Sequence, residues 1–438
     1  MPIPIPSPIE VLQRLIQFNT TNPPGNEQAC ITYIRDLLAG VGIESQLLAL
    51  TPERPNLVAR LKGTGSAPPL MLYGHIDVVT TAGQTWQHPP FGGEIVDGWI
   101  WGRGALDMKG PLTVLLYPLL MAKAQGISLP GDVIFSAMVD EEVDGKFGAQ
   151  FLVNQHPEQF QGLRYALSEF GGFNMAMAGQ RLYPIQISEK QICALKATFI
   201  GRGGHGSMPV HGQAMARLGR ALQRLDQSAL PVHISPPVRL MIDQMAAALP
   251  GLTGQVLRGL LNPTLAGPLL SLLGSRGALL NPLLRNTASP TMLAASDKLN
   301  VIPSEVQLGI DGRLVPGGQP EQLIAELGAL LGAEVKLEVA RYDPGPAAPE
   351  MGLFDRLGQT LRDLDPQAHP VPYVGAGVTD ARYFSRLGIQ TYGFTPLRLP
   401  DDLSMAGLIH AADERLPVDA LDFGVQAVYR LLTTFSQP

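Results

Sequence analysis

A short apolar run, Leu70-Met71-Leu72-Tyr73, stops at Gly74-His75-Ile76-Asp77. Four consecutive apolar residues read as a strand buried on both faces, and the polar residues mark where it leaves the sheet. That end constrains the rest of the chain, because open α/β sheets place their sites at strand ends. A His-x-Asp pair there has a mechanical use. The imidazole of His75 ligates a metal while Asp77 holds its other ring nitrogen and fixes the tautomer. The same tripeptide also fits an ordinary turn histidine, and the residues downstream have to decide between them.

Next comes Trp101-Gly102-Arg103-Gly104-Ala105-Leu106-Asp107-Met108-Lys109-Gly110, followed by an apolar helix over Leu112 to Ala124. Asp107 thus stands just before a helix start, where backbone N–H groups and the dipole favour a carboxylate. A helix cap alone is the other reading. Asp132 to Val139 is nearly all apolar and reads as a central strand, ending in Asp140-Glu141-Glu142. Leu163 to Ser168 is another strand-like run, ending in Glu169. Adjacent carboxylates beside a buried strand are costly unless a cation faces them. An isolated pair would be a solvated turn, yet three successive strand-like segments here end in His, Asp or Glu. A mixed set of this kind suits zinc, with manganese and cobalt as alternatives. A second imidazole would complete a dinuclear site, and Ile409-His410-Ala411-Ala412-Asp413-Glu414 offers His410. His88, His156, His211, His233 and His369 stand in loops, at a helix end or beside prolines, and nothing local recommends them as ligands.

Taken in order, Gly74-His75-Ile76-Asp77-Val78-Val79, Gly102 to Gly110, Asp140-Glu141-Glu142, Ser168-Glu169 and Ile409 to Glu414 resemble the zinc-dependent aminoacylase, acetylornithine deacetylase, succinyl-diaminopimelate desuccinylase and carboxypeptidase family, peptidase family M20. Trp86-Gln87-His88-Pro89-Pro90-Phe91 and Gly377-Val378-Thr379-Asp380-Ala381-Arg382-Tyr383-Phe384 are most similar to its carboxypeptidase S and N-acyl-amino-acid hydrolase branch. Thr379 replaces the serine often found before that aspartate and keeps the hydroxyl. The resemblance implies an α/β fold: a mixed-sheet, dinuclear-zinc exopeptidase-like catalytic domain with an inserted α+β lid domain that dimerises. It implies two Zn2+ per subunit, with Co2+ or Mn2+ as substitutes. His75 and Glu169 would bind one metal, Glu142 and His410 the other, and Asp107 would bridge them. Asp77 would brace His75, and Glu141 would be the general base. The Asp107–Met108 peptide would be cis. The Gly203-Gly204-His205-Gly206-Ser207 loop resembles the lid loop whose histidine reaches the active site, in dimeric members from the neighbouring subunit, to stabilise the oxyanion. Asn300 and Arg313 would bind the substrate carbonyl or carboxylate; a turn-capping Asn300 and an Arg313–Asp311 pair are the plainer readings.

A chain of 438 residues is too long for one typical core. The expected division is a catalytic domain over 1–190 and 342–438 with a lid over 191–341. In the first part, Ile9, Leu12, Leu15 and Ile16 mark one helix and Cys30, Ile34, Leu37 and Leu38 a second, with Asn56 to Leu61 as an edge strand. Residues 236–290 form a long apolar insertion punctuated by proline: a helical lid core, a dimer contact, or an apolar wall for an acyl group. Its prolines, glycines and Arg276 interrupt any membrane span. A net charge of -6 without a basic block argues against nucleic acid. Two cysteines without CxxC spacing and a start lacking a signal-peptide pattern point to the cytoplasm. The expected activity is cleavage of an amide bond beside a free carboxylate, in N-acyl amino acids or short peptides. A narrow deacylase, a dipeptidase, or a metal-bearing binding protein without turnover are the alternatives.

Overall fold

The computed structural model describes residues 4–346, 348–403 and 405–435. Its larger layer is a mixed nine-stranded sheet. From one edge the order is Ser45–Ala49, Pro55–Leu61, Val133–Met138, Leu70–His75, Tyr165–Ser168, Gln390–Gly393, Gln180–Glu189 and Ala368–Gly375, with Met175–Met177 paired beside Gln180–Glu189. The Leu70–His75 strand is parallel to both neighbours and buried at every position. Leu70 and Leu72 join the core on one face, Met71 and Tyr73 the core on the other. That two-sided burial is why the strand shows no apolar–polar alternation.

Helices cover both faces. Pro8–Gln17 carries a capping box in which Ser7 and Glu10 satisfy each other's backbone N–H groups. It buries Val11, Leu12, Leu15 and Ile16, and Cys30 lies in the same core as a free, fully buried thiol. Lys109–Ala124 is apolar on all sides and packs against Val418–Thr434. The two helices come close at Gly424, where a Cβ would lie 2.3 Å from the Pro396 carbonyl oxygen and 2.7 Å from a Val114 methyl. The expected edge strand at Asn56 to Leu61 is corrected: Pro55–Leu61 is an inner strand, buried at all but Arg60. The true edge is Ser45–Ala49, whose Ser-Gln-Leu-Leu-Ala sequence neither alternates nor carries β-branched residues and so gives little strand signal.

One residue, Lys190, separates the end of Gln180–Glu189 from the next strand, Gln191–Ile200. That strand belongs to a second, antiparallel sheet in the order Thr287–Ala294, Glu305–Leu314, Gln191–Ile200, Lys336–Asp343. Ala214–Gln227 and Pro320–Leu331 supply its apolar cover through Leu218, Leu323 and Leu327. The apolar insertion folds as four short helices, Pro236–Ala248, Gly251–Gly259, Pro263–Leu272 and Ser275–Leu280. Its core does not merge with that of the second sheet. Val238, Met241 and Ile242 pack with Leu182, Val371 and Val374, so the first of these helices covers strands at the far side of the large sheet.

Candidate metal centre

Three strand ends and two loops, those of Asp107 and His410, bring five side chains together. His75 Nε2 lies 3.2 Å from Asp107 Oδ1 and 3.3 Å from Glu169 Oε2. On the other side of Asp107, His410 Nε2 lies 3.2 Å from Oδ2 and 3.1 Å from Glu142 Oε2. Two triads result, His75–Asp107–Glu169 and Asp107–Glu142–His410, each with candidate ligand atoms within 4.8 Å of one another. Asp107 belongs to both, one oxygen to each. Glu141 belongs to neither, though its Oε2 is 3.9 Å from His75 Nε2.

The donor set fits metal ions. Buried Glu142 Oε1 and Glu169 Oε2 have no hydrogen-bond partner among the described residues, and buried polar atoms are seldom left so. Burial, with the charge of Glu169 second, holds Glu141 well above the usual carboxylate range. Burial likewise pushes Glu169 up to about 8, against the pull of His75. Hydrogen bonds to Asp107 and Glu142 raise His410 to about 10. Burial leads the two glutamate shifts and neighbouring carboxylates add to them, and bound cations would offset both. Histidine with carboxylate oxygen is the chemistry of zinc and its first-row neighbours.

Several supports hold these groups in place. His75 Nδ1 meets the main-chain oxygen of Asp77 at 2.9 Å, whereas the Asp77 carboxylate stands at 3.6 Å. That carboxylate accepts from the backbone N–H groups of Glu141 and Glu142, both at 3.2 Å. Asp77 therefore braces His75 chiefly through its carbonyl and aims the two glutamates through its side chain. Asp140 beside Glu141, Phe170 beside Glu169, and His410 itself have φ of 71°, 61° and 63°. Non-glycine residues adopt this conformation only where surrounding contacts impose it. The Asp107–Met108 peptide is cis.

Four supporting residues, Glu414, Arg103, Asn22 and Arg54, have no role assigned from the sequence. Buried Glu414 accepts from the backbone of Gly104, Leu106 and Asp107 at 3.1, 2.7 and 3.0 Å and pairs with Arg103 at 2.6 Å. Arg103 also donates to the His410 carbonyl at 3.2 Å. The Asp107 and His410 loops are thereby tied together. Glu414 lay within a quoted motif, but nothing local marked it as the acceptor for a distant loop. Asn22, which no motif singles out, donates from Nδ2 to Asp77 at 2.9 Å and to Asp140 at 3.0 Å. Arg54 adds a contact to Asp140 at 3.1 Å and an ion pair with Glu27. Asn22→Ala would leave two buried carboxylates short of a donor, so we expect a loss of about 2 kcal/mol in unfolding free energy together with reduced turnover. Denaturant titration checks it, and an unchanged midpoint would remove Asn22 from this support.

The remaining candidates lie elsewhere. His205 is exposed on the two-residue strand Gly204–His205, paired with Val301–Ile302. Its Nδ1 lies 2.8 Å from Ser207 Oγ and accepts from the Ser207 N–H at 3.3 Å, and an Nε2–H tautomer satisfies both contacts. Gly206 N–H donates to the Asn300 carbonyl at 2.8 Å, so His205 and Asn300 are neighbours. Neither is a member of the metal triads. Arg313 pairs with Asp311 through Nε at 2.8 Å and Nη2 at 3.2 Å. His88, His156 and His233 pair with Glu94, Glu158 and Glu326.

A mixed sheet with two metal-ready triads sharing one aspartate defines a dinuclear metallohydrolase. The chain belongs to peptidase family M20/M25/M40, whose profile matches residues 71–434. The resemblance read from the ordered motifs is borne out. The N-fatty-acyl-amino acid synthase/hydrolase PM20D1 of Homo sapiens is 29% identical over 381 residues, 84% of this chain and 74% of its own. The probable carboxypeptidase S-like 2 of Dictyostelium discoideum is 30% identical over 396 residues, 86% of this chain and 74% of its own. The M20 family metallo-carboxypeptidase Sso-CP2 from Sulfolobus solfataricus superposes with a TM-score of 0.71, covering 98% of this chain and 99% of that one. Its identity of 14% makes it a likeness of fold. No helix among the described residues is long and apolar enough to cross a membrane.

Proposed function

We propose that the chain hydrolyses the amide bond of N-acyl amino acids or short peptides beside a free carboxylate. The observation that carries this reading is the position of Glu141. It is a largely buried carboxylate 3.9 Å from His75 Nε2, part of neither triad, with its backbone N–H held by Asp77. A metal-bearing binding protein has no use for such a group, whereas a hydrolase needs a base there.

His75, Asp107 and Glu169 would hold one zinc ion, and Asp107, Glu142 and His410 the other. Bound cations at these positions supply Lewis acidity toward a water and the scissile carbonyl. Glu141 takes the proton of the attacking water and returns it to the departing amine, so the nitrogen leaves neutral. Asp77 keeps Glu141 and Glu142 aimed. His205 donates from Nε2 to the developing oxyanion, reaching the site across the interface of a homodimer formed by the lid, residues 191–341. Residues 1–190 and 342–438 are the catalytic domain. Asn300 and Arg313 receive the substrate's carbonyl and carboxylate. Nη1 of Arg313 has no hydrogen bond among the described residues, which leaves a donor for a carboxylate beside the Asp311 pair. We place the enzyme in the cytoplasm.

A hydrolysis screen of N-acyl amino acids and dipeptides, loaded in turn with zinc, cobalt and manganese, tests the reading. Relatives named for N-fatty-acyl amino acids make long acyl chains the first to try. Two bound metals with no turnover of any amide would overturn it. His205→Ala should lower turnover by about 100-fold, as losing an oxyanion donor does, with metal content intact. Mixing His205→Ala with Glu141→Gln chains should restore one working site per mixed dimer. No recovery despite confirmed subunit exchange would exclude donation across the interface.

A further inference from the structure

The apolar insertion exposes leucines that amide hydrolysis does not account for. Leu252 is 74% exposed, Leu265 49%, Leu272 76% and Leu279 69%. They stand on three consecutive short helices, Gly251–Gly259, Pro263–Leu272 and Ser275–Leu280. On the middle helix Leu265, Pro268 and Leu272 recur at helical spacing along the exposed side, while Ala266 and Leu270 are buried on the other. That helix is therefore apolar on both its core face and its outer face. The last two helices form a tight hairpin through Leu273 and Gly274. A Cβ at Gly277 would lie 2.0 Å from the Leu270 carbonyl oxygen, so only glycine lets them pack this closely.

Charge is distributed as unevenly as apolar surface. From Gln244 to Ser296 there is no aspartate, glutamate, lysine or histidine, while Arg258, Arg276 and Arg285 are present. A +3 segment thus sits within a chain of net charge -6. Arg285 is used internally, donating to the Leu230 carbonyl and to Asn281 at 2.9 Å. Arg258 is exposed on the first of the three helices, on the same side as Leu252 and Gln255.

We infer that this face docks on an anionic phospholipid bilayer, its leucines entering the interface and its arginine meeting the headgroups. Two occupants compete for an exposed apolar face, and charge decides between them. In a contact with a second copy through a two-fold axis the same patch meets itself. Two arginine-bearing patches would then share one interface, and the stretch from Gln244 to Ser296 offers no carboxylate from either copy to pair them. An anionic lipid surface supplies the missing charge and takes up exposed leucine. Short in-plane helices bearing leucine with arginine bind such surfaces without spanning them. The insertion is anchored on the large sheet through Val238, Met241 and Ile242, so docking would hold the enzyme body against the bilayer. This inference goes beyond the proposed reaction and does not depend on it.

The test is flotation of the full-length protein with vesicles of phosphatidylcholine alone and of an equal mixture with phosphatidylglycerol. Wild-type protein should float with the mixed vesicles and much less with the neutral ones. Leu272→Ser combined with Leu279→Ser should lower the bound fraction by about tenfold or more. Arg258→Glu should weaken binding to the anionic vesicles, as should raised salt. None of these changes should alter turnover of a short-chain, water-soluble substrate, or particle mass by light scattering. Absence of wild-type flotation on anionic vesicles overturns the inference, as does a serine double variant that floats like wild type. A drop in particle mass for that variant would assign the face to a contact between copies and overturn it equally. Should the double variant fail to fold, the Arg258→Glu and salt arms decide. Flotation needs no substrate, so its outcome is separate from that of the hydrolysis screen.

Discussion

Glu141→Gln is expected to keep its full metal complement while turnover falls by about 100- to 10,000-fold, the usual contribution of a general base. The amide preserves the size of the side chain and leaves both triads untouched, because Glu141 belongs to neither. Its backbone N–H would still donate to Asp77. Substrate affinity should therefore change little, and the loss should fall on kcat. Metal content by mass spectrometry, measured beside kcat and KM, separates the outcomes. A fully active glutamine variant removes Glu141 from the chemistry, and a metal-depleted one shows that it acts as a ligand.

Asp107→Ala should do more, because one side chain serves two positions. Its Oδ1 faces His75 and its Oδ2 faces His410. Removing it leaves two donors in each triad and sets His75 and Glu169 apart from Glu142 and His410. Losing an outer partner of a metal ligand already costs about 10- to 100-fold in affinity or activity. Losing the shared ligand should exceed that and empty both positions. Glu169→Ala should by contrast weaken the His75 position and largely spare the other. Metal stoichiometry of the two purified variants decides. Two tightly held ions per chain in Asp107→Ala would refute the shared aspartate, and an unfolded variant would be recognised by circular dichroism before any such reading.

Most parts of the site visible in the sequence, His410 apart, share one property: each borders a segment whose character is locally encoded. Leu70–His75, Val133–Met138 and Tyr165–Ser168 are apolar throughout, and a polar residue that terminates such a run stands out. The apolar helix after Asp107 and the amphipathic Pro8–Gln17 are legible for the same reason. The ordered motifs then identified the family, since five weak signals in one order are far more specific than any one.

Pairing and long-range hydrogen bonding are a different matter. Whether Pro55–Leu61 is an edge or an inner strand depends on a partner, Ser45–Ala49, that has no strand signature of its own. Asn22 and Glu414 are ordinary polar residues until the fold carries them to Asp77 and to the Asp107 loop. Their roles depend on which backbone groups are left unsatisfied nearby, and that is settled only when distant segments meet. The insertion shows the same limit. Its composition announces apolar helices, but the side that packs on Leu182 and Val371 and the side that bears Leu272 and Leu279 are both apolar. Composition of that kind cannot say which face is core. Tertiary packing decides it, because burial depends on what lies opposite a side chain and not on the side chain alone.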